Sequence, residues 1–151
     1  MKEILAEIIT IGDEILYGQI TDTNAQWMSA ELDQIGVNVL RSTTIGDNEK
    51  EMLTAFREAE ARVDLVLMTG GLGPTNDDIT MPTLAKYFDC AIVQNMEVHE
   101  HVRHFFASQG IPFNESNKKQ SLVPENAEIL PNELGTAPVT WFERNGKIFV
   151  S

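Results

Sequence analysis

The stretch LVLMTGGLGPTNDDIT, residues 65–80, decides how the rest of the chain is read. Its first four residues end the short, nearly continuous apolar run of residues 63–68, which reads as a buried strand. Gly70, Gly71, Gly73 and Pro74 then interrupt the chain directly behind it. Glycines can adopt positive φ and turn successive N–H groups toward one point, a concavity that fits phosphate oxygens. Thr75, Asp77 and Asp78 follow, and Pro82 suits the first turn of a helix whose positive dipole end would also favour an anion. Acids repel a bare phosphate but attract a metal-complexed one, so Asp77 and Asp78 are candidates to hold Mg²⁺ or a similar ion against it. In the plainer alternative the glycines only turn a tight corner and the aspartates cap the helix. The loop matches neither the Walker pattern nor G-x-G-x-x-G, so neither mechanism transfers.

On the N-terminal side, residues 4–11 read as a buried strand that ends at Gly12. Thr23 or Asn24 would cap a helix carrying Met28, Leu32 and Ile35 before Gly36, with Trp27 a core residue. Residues 37–45 return as strand. Asn48 and Glu51 form a capping box, and Met52, Leu53, Phe56 and Ala59 share a helical face. Strand, helix, strand, helix, strand predicts a parallel sheet with right-handed crossovers. Beyond the quoted stretch, a helix is expected to about Phe88, and Val98, Val102 and Phe105 mark another that closes at Gly110. NESNKKQ suits a short helix, Pro124 and Pro131 break the chain, and Asn145-Gly146 between two β-prone runs predicts a hairpin. The reading is one α/β domain with a late β-hairpin.

Composition narrows the function. With 23 acidic against 11 basic residues the net charge is −12, which argues against nucleic-acid binding, since that depends on Lys and Arg neutralising phosphates. A lone Cys90 permits no intrachain disulfide and suits a reducing compartment. No apolar run approaches the roughly 18 residues of a membrane span, and the acids in MKEILAEIITIGDE read as strand, not signal peptide. A cytoplasmic protein without membrane or nucleic-acid partners is expected.

Ligands of open parallel sheets bind beyond the carboxyl ends of the strands. Asp13, Glu14, Asp22 and Asn24 lie in the loop behind the first strand, and Asp47 lies behind the second. Carboxylates from several strand ends converging on one spot would make a cation site, whereas isolated loop acids are merely solvated. His99 and His101 point to nearly opposite sides of a helix. His101 and His104 could share an ion but lack a third ligand nearby. Lys118 and Lys119 are either a solvated helix face or the positive side of an anion pocket.

Four segments together resemble the N-terminal domain of the CinA (competence/damage-inducible) family and, more widely, the MoaB/MogA-type molybdopterin-binding fold. They are GDEILYGQITDTN (12–24), TGGLGPTNDD (69–78), NESNKKQSLVPENA (114–127) and NELGTAPV (132–139). The resemblance implies a three-layer α/β/α domain with a mostly parallel sheet that binds a phosphorylated nucleotide or pterin at the sheet edge. It implies a divalent-metal-dependent pyrophosphatase acting on ADP-ribose-type substrates, with Asp78, Asp77 and Glu14 as catalytic residues and Glu14, Asp47 and Asp78 as metal ligands. Gly70, Gly71, Gly73, Pro74, Thr75, Asn24, Asn117, Lys118 and Gln120 would bind the ligand. A binding module without turnover is a second reading, and molybdopterin adenylyl transfer a third. A homo-oligomer, dimeric or trimeric, is expected. Val139 stands where the family usually has glycine, and relatives continue past residue 151 with a Pro-Gly loop. A domain covering residues 1–151, truncated at its C-terminus and without the amidase domain of full-length CinA, is therefore expected.

Overall fold

A computed structural model describes residues 3–151 except Pro74 and Asp77. The first strand, β1 (Leu5–Ile11), lies between β2 (Asn38–Ile45), at one edge of a sheet, and β3 (Leu65–Thr69), parallel to both. Neighbouring helices cover both faces of β1, and its side chains alternate accordingly. Ile9 and Ile11 join Met52, Ala55, Phe56 and Ala59 of α3 (Glu49–Arg62) and Leu84 of α4 (Thr80–Tyr87) on one face. Ala6 and Ile8 meet Ala25 and Leu32 of α2 (Thr23–Gln34) on the other. The expected three layers are thus formed.

Crossing from β3, the sheet continues through β8 (Lys147–Val150), parallel to it, then antiparallel β7 (Val139–Arg144) and β6 (Glu128–Leu130), giving the order β2-β1-β3-β8-β7-β6. The β7–β8 turn places Asn145 and Gly146 at φ 55 and 70, as the Asn-Gly pair predicts. A second, two-stranded sheet of β4 (Ile92–Gln94) and β5 (Leu122–Pro124) supports α5 (Met96–Ser108), with α6 (Glu115–Lys118) before it. No helix among the described residues is long and apolar enough to cross a membrane.

Three local expectations are corrected. Asp22, not Thr23 or Asn24, caps α2: its carboxylate accepts the Ala25 amide at 2.9 Å and the Thr10 hydroxyl at 2.5 Å. Trp27 and Ile35, expected in the core, are 65% and 75% exposed. Asn48 accepts the Glu51 amide at 3.1 Å as a capping box requires, but its own amide donates to the Gly46 carbonyl.

Two ion pairs tie α3 to the sheet. Glu7, fully buried in β1, accepts two guanidinium nitrogens of Arg62 and the Thr43 hydroxyl. On the same helix Glu60 accepts Arg144 of β7 at 3.1 and 2.7 Å and the Tyr87 hydroxyl, while Arg144 lies over the Tyr87 and Phe88 rings. The Arg144 hydrogen bond, outweighing burial, holds the Glu60 carboxyl below its ordinary value of 4.5. A depressed folded-state value contributes stability above the unfolded pKa, and that stability is lost as pH falls through the folded value. Glu60→Gln is therefore expected to cost about 1–2 kcal/mol at pH 7 and progressively less as the pH falls below the ordinary value of 4.5, measured as urea midpoints across an acid series.

Candidate functional site

The carboxyl ends of β1, β2 and β3 face one edge, where the loops behind them meet. Gly12 donates to the Ile45 carbonyl at 3.0 Å and locks the first two loops together. Asp13 and Asp47 repeat that link reciprocally, each amide donating to the other's carboxylate at 3.2 and 3.3 Å. Asp13 also opens α1 (Asp13–Leu16), a single turn. Behind β3, Gly70 and Gly71 have φ of 95 and 63, so the chain does turn a tight corner there. Fully buried Thr80 fixes the corner: its hydroxyl donates to the Gly70 carbonyl at 3.0 Å and its amide to the Gly71 carbonyl at 3.3 Å. Thr80 escaped sequence reasoning, although a threonine at the first helical position behind a glycine loop was the available signal.

Asp78 folds back over its own loop. One carboxylate oxygen accepts both the Thr75 amide, at 2.9 Å, and the Thr75 hydroxyl. Partial burial pushes this carboxyl up, but Thr75 and the Gly73 amide together hold it below the usual carboxylate value. Asp47 is shifted the other way, raised first by burial and then by the charges of Asp13, Glu14 and Asp78. Such like-charge crowding at one edge is what a bound cation relieves.

Three cavities share these walls. An acidic cleft of about 470 Å³ is lined by Asp13, Glu14, Gln19, Asp47, Gly71, Thr75 and Asp78. Gly71, Thr75 and Asp78 also wall a cavity of about 270 Å³ with Ile79, Met81, Ile92, Leu122, Pro138, Lys119 and Gln120. Glu14 leads in the other direction to a pocket of about 210 Å³ containing Asp22, Asn24, Thr69 and Gly70, where the Asn24 amide donates to the Thr69 hydroxyl at 3.3 Å.

The sequence candidates therefore divide. Glu14, Asp47, Gly71, Thr75 and Asp78 share the cleft, Gly73 and Gln120 line the 270 Å³ cavity, and Gly70 and Asn24 line the flanking pocket. Pro74 and Asp77 lie outside the described residues. Lys118 instead pairs with Glu115, and buried Asn117 donates to the Pro112 carbonyl at 3.4 Å. Lys119, the neighbour of Lys118, is the one that reaches the cavity wall. Among the described residues no three His, Cys, Asp or Glu side chains stand close enough to form a ready metal cage. The donor set still fits Mg²⁺, which is commonly held by one or two carboxylates, waters and the phosphates of its substrate.

Sequence and structure comparisons agree with this architecture. The family described as "Probable molybdopterin binding domain" matches residues 7–151. A CinA-like protein of Cytophaga hutchinsonii is 52% identical over 148 residues, 98% of this chain and 35% of its own length. The chain thus spans about 35% of the curated relatives it matches. A crystal structure of CinA from Thermoplasma acidophilum, a protein of unknown function, superposes with a TM-score of 0.86 at 30% identity and covers 98% of this chain and 86% of that one. MoaB from Pyrococcus furiosus, a tungsten cofactor synthesizing protein, shares the fold at a TM-score of 0.59 and 20% identity, over 99% and 80% of the two chains.

Proposed function

The chain belongs to the molybdopterin-binding-domain family, and from that premise we propose that it binds a phosphorylated nucleotide or pterin along its sheet edge and cleaves a diphosphate linkage of the ADP-ribose type. One observation carries the reading: Gly71, Thr75 and Asp78 wall both a half-apolar cavity and an acidic cleft. A ligand with an organic body and a diphosphate needs those two environments side by side. The apolar side chains around Met81 and Leu122 would take the planar body, and Lys119 is the cation on that wall. The Lys119 ammonium has no hydrogen-bond or ion-pair partner among the described residues, which leaves it for a phosphate oxygen. One or two of Glu14, Asp47 and Asp78, with waters and the substrate's own phosphates, would hold a divalent ion, which supplies neutralisation of phosphate charge and a more acidic bound water. Asp78, kept ionised by Thr75 and Gly73, orders the loop beside the phosphate position.

The test is AMP release from ADP-ribose, with and without added Mg²⁺, in wild type and Asp78→Asn. Metal-dependent AMP is expected in the wild type, with a fall of about 100-fold or more in the variant, the size of effect seen when one preorganised electrostatic group is removed from a reacting centre. Equal turnover in the two proteins would remove Asp78 from the reaction. A second reading, ligand binding without turnover, needs only the glycine corner and Lys119 on the cavity wall. It predicts ADP-ribose-induced thermal stabilisation with no AMP.

A further inference from the structure

Loop 131–138, with sequence PNELGTAP, joins β6 to β7 and carries Pro138, a buried wall of the 270 Å³ cavity. Within the loop, Asn132 ties its own turn together. Its side-chain amide donates to the Ala137 carbonyl at 2.8 Å, and its side-chain oxygen accepts the Leu134 amide at 3.1 Å. That staple shapes the loop without attaching it to anything else. The attachment comes from α5, where the His101 Nε2 stands 2.9 Å from the Gly135 carbonyl oxygen. A carbonyl only accepts, so Nε2 carries the hydrogen and donates it. The helix behind His101 is a firm base, since Val98 and Val102 are buried against Val123, with Phe106 and Ile129 alongside.

We propose that His101 is a positioning residue: it clamps the loop to α5 and so sets the Pro138 wall of the ligand cavity. The inference rests on the reading of that cavity as the place of the ligand body. His101 lines a separate cavity of about 230 Å³ that shares Pro138 with the ligand cavity, and it does not line the ligand cavity itself, so it acts on the ligand through the loop. An untethered loop would leave the wall free to move, and binding would then have to order it.

Deuterium exchange of peptides covering 131–138 and titration with ADP-ribose, in wild type, His101→Ala, His101→Asn and His101→Gln, decide the matter. Glutamine places an amide donor where Nε2 stands, whereas asparagine is too short to reach. Loss of one neutral hydrogen bond predicts about 2- to 10-fold faster loop exchange and a similar loss of affinity in His101→Ala and His101→Asn, with recovery in His101→Gln. Unchanged exchange in His101→Ala, or identical behaviour of the asparagine and glutamine variants, would overturn the clamp. If wild type binds no ADP-ribose, the assignment of the cavity fails on its own, and the exchange arm still decides whether His101 holds the loop.

Discussion

Replacing Arg62 with alanine is expected to cost the protein about 3–5 kcal/mol of stability, the penalty for leaving a buried carboxylate without its partner. Glu7 is fully buried in β1, and its charge is balanced by the bidentate guanidinium and the Thr43 hydroxyl. Arg62 is itself 27% exposed, so the asymmetry is marked. Without Glu7 the guanidinium can turn to water, but without Arg62 the carboxylate cannot. For a chain of this length the loss corresponds to a Tm lower by roughly 6–20 °C. Glu7→Gln should cost less than Arg62→Ala, and replacing both residues with methionine should recover much of the loss, because the pair's attraction barely exceeds its desolvation. Urea unfolding of the four proteins followed by circular dichroism gives the comparison. An Arg62→Ala midpoint within error of wild type would mean that Glu7 is satisfied some other way.

The same strand shows what could be read in advance. The mostly aliphatic run of residues 4–11, ending at a glycine, identifies β1, and the helix-strand alternation behind it identifies the parallel core. Neither identifies β8 as the neighbour of β3, because that pairing joins residues some eighty positions apart and is settled only when the hairpin docks. The three-residue strands β4, β5 and β6 were equally hidden, since so short a run carries no periodicity. A glutamate inside LAEIITI was a legible hint of a buried pair, but its partner stands 55 positions away.

At the site, chemistry was more legible than geometry. The glycine loop and the acids behind three strands could be placed at one edge because topology alone brings strand ends together. Choosing between adjacent residues was harder. Lys118 and Lys119 differ by about 100° around a helix, enough for one to pair with Glu115 while the other reaches the cavity. Asp22, Thr23 and Asn24 are all competent caps. Asp22 takes the role in the structure, where the Thr10 hydroxyl across the loop also binds its carboxylate. Trp27 illustrates the opposite failure, an apolar residue at helical spacing that nonetheless faces outward.

Gly70→Ala and Gly73→Ala should separate the loop's folding role from its binding role. Gly70 has φ of 95, and a Cβ there would overlap the carbonyl oxygen of Ile11, a backbone atom of a residue paired with Ile45 in the β1–β2 ladder. Relief requires the whole corner to lift off β1, carrying with it the two hydrogen bonds that Thr80 makes to Gly70 and Gly71. Backbone strain alone is worth about 1–3 kcal/mol, so Gly70→Ala is expected to lower Tm by several degrees and to abolish ADP-ribose binding together with it. Gly73 is not in the positive-φ region, and the nearest atoms its Cβ would meet are the end of the Asp78 side chain, at 2.7 Å. A carboxylate can swing aside where a strand cannot. Gly73→Ala should therefore keep a near-native Tm while displacing Asp78 from Thr75, and the damage should fall on affinity and metal-dependent turnover. Thermal melts beside ADP-ribose titrations on both variants give the readout. A Gly73→Ala protein as unstable as Gly70→Ala would show that the Asp78 contact braces the fold, whereas one with native stability and native affinity would remove this stretch of the loop from the ligand's reach.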